Sequence, residues 1–226
     1  MTNAELVNRA VDIARNHKTL YVFGSFGAPL TDENKDALCN HTAYNKQADR
    51  TAMIRAASAD TFGFDCSGLI KGILWGWDGD RSHDKGGAVY ASNGVPDISA
   101  NMMIQRCGDI STDFGYLVPG ELVWTSGHVG LYIGGGLAVE CTPKWANCVQ
   151  ITSCNCTKAG YNRRNWAKHG KLPWVEYPAA KSVEEIAREV IAGKWGVGIA
   201  RKDKLAEAGY SYTEVQTAVN EILKSR

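Results

Sequence analysis

The chain opens on "AELVNRAVDIARNH", in which Leu6, Ala10, Ile13 and Ala14 recur on one helical face and Val7 and Val11 widen it. That spacing predicts an amphipathic helix. "YVFGSFGAPLTDEN" breaks the pattern with glycines and a proline, and 31–50 reads as polar and irregular. Helical spacing returns in "GFDCSGLIKGILWGW" through Leu69, Ile70, Ile73 and Leu74. "DGDRSHDKGG" is a loop, and a turn-rich stretch after it turns helical from Ser99 onward. Then the period changes. "PGELVWTSGHVGLYIGGGLAVECTP" predicts short strands at 121–124, 128–133 and 137–141. The glycines at 134–136 supply the positive backbone angles of a tight hairpin between the last two. "WVEYP" reads as a final strand. A helical layer followed by antiparallel strands predicts an α+β domain over 1–178.

The tail has no strand period. Ser182 with Glu185 and Ser211 with Glu214 form capping boxes. Ile186, Val190 and Ile191 line one helix, and Val215, Val219, Ile222 and Leu223 line another. Between them "ARKDKLAEAGY" predicts a short helix stopped at Gly209. A three-helix domain over 181–226 is therefore expected. It is marginal on its own and too small to hold much chemistry, which suggests an adaptor.

Composition narrows the classes. A net charge of +1 gives no global field for nucleic acid or an anionic membrane, so neither partner is expected. No stretch approaches the length of a membrane span, so stable insertion is not expected either. "MTNAELVNRAVDIARN" lacks a basic region followed by an apolar run, so synthesis in the cytoplasm without a signal peptide is the expectation. Seven cysteines, Cys39, Cys66, Cys107, Cys141, Cys148, Cys154 and Cys156, cannot all pair internally. Cys39 and His41 with the late cysteines offer a zinc set, but "CNC" is too short for a metal pair. Free or partly paired structural cysteines, with no metal and no cofactor, are the preferred reading.

Cys66 stands apart. It begins an apolar helical run between Asp65 and Ser67, where unpaired amides and the helix dipole favour a thiolate and lower its pKa. The Cys66 amide is also placed to hold an oxyanion, and Gly63 and Gly68 permit a sharp entry and close approach of substrate. A base is then required. His128 starts a strand, and Glu140 lies across the glycine hairpin. Symmetric pairing puts the two opposite one another, so Glu140 can orient the imidazole. His17, His41, His83 and His169 fall at helix ends or in polar loops and have no such setting.

"FDCSGLI" followed by "GHVGLYIGGGLAVE" resembles the NlpC/P60 family of papain-like cysteine peptidases. The resemblance spans about 4–178 and is loose between the motifs, where 31–61 looks inserted. It implies a papain-like fold, Cys66 as nucleophile, His128 as base and Glu140 at the third position, where histidine, asparagine or glutamine is common. "YVFG" matches the family's upstream tyrosine segment, so Tyr21 is implied as an oxyanion helper. Asp65 and Ser67 are implied to line the subsite for the first residues of a wall peptide.

The tail resembles the CW_7 cell-wall-binding repeat of phage lysins. It meets the signature with Gly193, Lys194, Trp195, Gly196, Gly198, Arg201, Leu205, Ala208, Gly209 and Tyr210. Val197 stands where asparagine is common, and Ile199 and Ala200 replace acidic residues. Lys194, Trp195 and Arg201 are the implied wall contacts, although Trp195 also has a packing reading. One repeat gives no avidity by itself, and a homo-oligomer would supply it.

Both resemblances imply bacterial peptidoglycan as partner. They imply an endopeptidase that cuts the stem between D-glutamate and the diamino acid, released to the wall through a holin-type pore. An N-acetylmuramoyl-L-alanine amidase using the same site is the alternative. A binding protein with a retired site and an acyl transferase on a non-wall substrate are the other classes; intact Cys66 and His128 oppose the first and the tail opposes the second.

Overall fold

The computed structural model describes residues 1–179, 181–208 and 210–224, with 206 and 207 described by backbone alone. Helix α1 (Asn3–Asn16) starts at Thr2, whose hydroxyl accepts the Glu5 amide while the Glu5 carboxylate accepts the Thr2 amide. Leu6, Ala10 and Ile13 are its buried face. The chain continues through β1 (Thr19–Tyr21), β2 (Phe26–Pro29), α2 (Asp32–His41), α3 (Ala48–Ala56), β3 (Phe62–Phe64) and α4 (Cys66–Leu74). After a long loop come α5 (Ala100–Arg106), β4 (Gly108–Ser111), a single 3-10 turn, β5 (Leu122–Thr125), β6 (His128–Gly134) and β7 (Leu137–Thr142). β8 (Cys148–Cys154), β9 (Arg163–Arg164) and β10 (Lys168–Lys171) follow. The result is a mixed α+β unit, Met1–Tyr177.

Among the described residues the strands form two sheets, ordered β1-β3-β2 and β4-β10-β5-β6-β7-β8-β9. Every residue of α4 is buried, because the helix packs against β2, β6, β7 and α1. Its glycines make that possible. A Cβ on Gly68 would stand 2.1 Å from the Ser25 carbonyl oxygen, and one on Gly72 2.4 Å from that of Phe26. The backbone that approaches Gly68 is thus the protein's own, not a substrate's.

The hairpin glycines 134, 135 and 136 all adopt positive φ, as their sequence predicts. The pairing they set differs from the symmetric expectation. Leu131 faces Val139 and Tyr132 faces Ala138, with an irregularity before Gly134. Continued along the strands, this register puts Gly130 opposite Glu140, so His128 and Glu140 are diagonal neighbours. A shift of two residues keeps both on one face, within reach of long side chains.

Other expectations fail for physical reasons. The segment 31–50 is not irregular: α2 starts at Thr31, whose hydroxyl accepts the Asn34 amide, and α3 follows. Their buried positions include Lys35 and Arg50, so polar residues hide the helical period. "WVEYP" is not a strand; it contributes a lone bridge between Thr2 and Glu176. The last strand is "KHGK", β10, which has no apolar alternation. His169 lies in it and is buried, not in a polar loop.

The second unit, Pro178–Arg226, holds α6 (Val183–Ile191), α7 (Gly198–Glu207) and α8 (Tyr212–Lys224). The Ser182–Glu185 capping box starts α6. Ile186, Val190, Leu205, Val215 and Val219 form its core. Gly209, the expected helix stop, lies outside the described residues.

Candidate active site

Asp65 is the N-cap that starts α4 at Cys66. Its Oδ1 accepts the Gly68 amide at 2.6 Å and the Ser67 hydroxyl at 3.2 Å, and its Oδ2 accepts the Gly24 amide at 2.7 Å. The carboxylate is therefore fully engaged in shaping the turn that presents Cys66. Cys66 is 7% exposed. Burial pushes its thiol up to about 12, helped by the charge on Asp65, while the amides of Val129, Ser67 and Cys66 itself pull the other way. The expected lowering by the helix start is thus outweighed by desolvation. Val129 follows His128, so the sulfur lies against the first residues of β6.

His128 is set from three sides. Asn101 of α5 accepts the Gly127 amide at 2.8 Å and the Trp124 indole at 3.0 Å, which pins the turn before the strand. The Trp166 ring stacks on the imidazole, 5.5 Å between centroids and 7° from parallel. Nε2 meets Glu140 Oε2 at 2.7 Å. Glu140 itself is fully buried. Burial alone would raise its pKa, but the bonds from His128 and Arg164 overcome that and hold it below the ordinary glutamate value.

Tyr21 is buried beside this group. Burial first, with the neighbouring Cys66 and Asp65 adding to it, holds its phenol well above the ordinary range, so it remains a neutral donor. Its amide donates to the Asn147 carbonyl at 2.9 Å. Its carbonyl accepts from Arg50, which also reaches Asn147 Oδ1 at 3.0 Å. A cavity of ≈ 440 Å³ borders Asp65, Gly68, Ser25, Lys71, Lys85 and Tyr90 on one side of α4.

The arrangement joins Cys66, His128 and Glu140, with Tyr21 close by; Asp65 and Ser67 serve the helix cap. Sequence reasoning missed Asn101, Arg164 and Trp166. The last two stand in "NRRNWAK", where a two-residue strand leaves no readable period. The seven cysteines are all unpaired. Among the described residues no set of three or more His, Cys, Asp or Glu could hold a metal ion, and no helix is long and apolar enough to cross a membrane.

In the second unit, Lys194 and Trp195 border a cavity of ≈ 490 Å³ with Glu189, Lys204 and Ala208. The Trp195 indole donates to Glu189 Oε2 at 3.0 Å, and its ring meets Tyr210 edge-on. Arg201 does not line this cavity; it donates to the Gly196 carbonyl at 2.9 Å and braces the loop. Val197 and Ile199 are among its most exposed apolar side chains.

Residues 184–223 match the CW_7 repeat family. Over 42 residues the chain is 55% identical to a lysozyme of Streptococcus phage Cp-7, covering 19% of this chain and 12% of that protein. Among solved structures it is similar to NlpC1 from Trichomonas vaginalis, with TM-score 0.38 and 15% identity over 76% of this chain and 44% of that one. NlpC2 from the same organism gives TM-score 0.36 and 14% identity over 76% and 46%. The chain spans about an eighth of the phage lysozyme and under half of each solved structure.

Proposed function

We propose that the protein is a peptidoglycan hydrolase of the phage-lysin type, with a cysteine peptidase of papain-like, NlpC/P60 kind in its first unit and a wall-binding three-helix unit behind it. The observation that carries this reading is the bond from His128 Nε2 to a buried carboxylate, at the start of a strand whose next amide, Val129, points at the Cys66 sulfur. The "DCSG" and "GHVG" motifs that bear the NlpC/P60 resemblance lie at these two places. The CW_7 match supplies the wall as target.

The chemistry follows from the residues. The buried thiol keeps its proton at rest, so attack on a carbonyl requires a base. With Nε2 engaged by Glu140, Nδ1 is the ring nitrogen that takes the Cys66 proton as sulfur attacks the amide carbonyl. The Cys66 amide and the neutral Tyr21 phenol are the proposed donors to the oxyanion. The imidazolium then protonates the leaving amine, and water releases the acyl-enzyme.

In this reading the bond cut joins D-glutamate to the diamino residue of the stem, and Asp65 borders the cavity beside α4 while Ser67 supports it through the helix cap. The enzyme is made in the cytoplasm and meets the wall after release through a membrane pore. Lys194 and Trp195 contact the wall directly, and Arg201 shapes the loop that carries them. Digestion of purified sacculi, with mass spectrometry of the new amine terminus, tests the bond. A new diamino-acid amine supports the endopeptidase. A new L-alanine amine with a freed lactyl carboxylate makes it an amidase instead.

A further inference from the structure

Glu140 is an unusual orienting residue because it is a carboxylate with no exposure to solvent. A buried charge needs both partners and a counter-charge. Thr152 donates to Oε1 at 2.7 Å. Arg164 supplies the rest: its Nε lies 3.1 Å from Oε1 and 3.0 Å from Oε2, and its Nη2 donates to Oε2 at 2.5 Å. The same Nη2 reaches Thr142 Oγ1 at 3.1 Å. The guanidinium is further held against the rings of Trp145 at 4.9 Å and Trp166 at 5.7 Å. Arg164 belongs to β9, which pairs with β8 at Cys154, so its side chain passes β8 to reach Glu140 on β7.

We propose that Arg164 is a positioning residue for the reaction: it turns one oxygen of Glu140 toward His128 Nε2 and balances the carboxylate's charge, so that Glu140 orients the imidazole without trapping a proton on it. The proposal rests on the cysteine-peptidase reading of Cys66 and His128. A lone buried carboxylate at this distance would favour the imidazolium, and a base already protonated cannot accept the thiol proton. Paired with Arg164, Glu140 acts as a nearly neutral acceptor. The titratable and charged groups that interact with Glu140 are His128 from β6, Arg164 from β9, Cys141 from β7 and Cys154 from β8.

Removing Arg164 leaves the site one unit more negative, so every proton in it becomes harder to remove. Both inflections of the pH profile then move upward, by about one pH unit, which is tenfold in rate on the acid limb. The test compares Arg164→Gln, Arg164→Lys and the double variant Arg164→Gln/Glu140→Gln in the full chain. Carbamidomethylation of Cys66 by iodoacetamide is followed against pH by peptide mass spectrometry, alongside lysis of purified sacculi, with thermal unfolding as the check on folding. Arg164→Gln moves the inflections up, and the double variant returns them close to wild type because both charges go together. Arg164→Lys keeps the inflections but lowers kcat, since an ammonium cannot hold both oxygens and Thr142 at once.

A folded Arg164→Gln with unmoved inflections overturns the proposal, as does a double variant shifted like the single one. Should Arg164→Gln not fold, Arg164→Lys decides: shifted inflections there also overturn it. The alkylation profile reports on Arg164 whether or not walls are lysed. Failure of the peptidase reading shows separately, as lysis retained by Cys66→Ala.

Discussion

Among the described residues the large sheet holds two histidine–glutamate pairs at hydrogen-bond distance, and they differ in how far the histidine is enclosed. His128 meets Glu140 at 2.7 Å, and His169 meets Glu121 at 2.6 Å. The difference is what else each ring touches. His169 has its other nitrogen on the Asp113 carbonyl at 2.9 Å, and its side chain is 4% exposed. Both of its nitrogens are occupied, and it ties β10 to the chain before β5 and to the turn at Asp113. His128 has one nitrogen engaged, 15% side-chain exposure and a cysteine at the neighbouring residue's amide. A short bond to a carboxylate is thus common to both pairs. The second nitrogen separates them.

That comparison breaks most visibly on alanine substitution of each histidine. His128→Ala should lower lysis of purified sacculi by about three orders of magnitude while unfolding near the wild-type temperature. His169→Ala strands a buried carboxylate and should cost about 3 kcal/mol in denaturant unfolding, with the folded fraction still active. Equal activity losses from the two, at matched folding, would erase the distinction.

The Glu140 series sharpens it. Glu140→Ala leaves Arg164 and His128 without their acceptor and should reduce kcat by about a hundredfold; Glu140→Gln, whose carbonyl still accepts, by about tenfold. Identical rates for wild type and both variants would mean that another group orients His128.

Acid unfolding gives a smaller signal. The folded Glu140 carboxyl lies below its ordinary value of 4.5, so the stability it contributes is present above that pH. It is lost as the pH falls through the lower folded value. Between those two pH values, Glu140→Gln should show a flatter decline in unfolding temperature than wild type. Parallel curves would show that the carboxyl is not held ionised by its partners.

How much of this the residues announce depends on where the period is clean. The three central strands and the hairpin were readable because "GHVGLYIGGGLAVE" alternates and turns at glycines that all need positive φ. The exact pairing was not, since the strands pair two residues away from the symmetric register, with an irregularity between Tyr132 and Gly134 that no residue pattern announces. The inserted helices α2 and α3 were hidden by buried polar residues such as Arg50, which braces Tyr21 rather than facing solvent. Cys66, His128 and Glu140 were legible from local motifs. The thiol's high pKa was not, because burial is a property of α4's packing. Arg164 and Trp166 escaped because a two-residue strand carries no pattern.

The smallest expected effect lies in the second unit. Trp195→Ala in the full chain should weaken sedimentation with purified sacculi by about tenfold, a loss of about 1.4 kcal/mol, with the helical signal kept. Loss of helix together with binding would assign Trp195 to packing against Tyr210 instead.

The central claim is that Cys66 is the nucleophile of a wall hydrolase, and its most direct measurement is turbidity loss of purified sacculi by Cys66→Ala and Cys66→Ser beside wild type. Both variants should still sediment with the walls and unfold like wild type, yet release no new amine termini. Undiminished release by a folded Cys66→Ala would contradict the account.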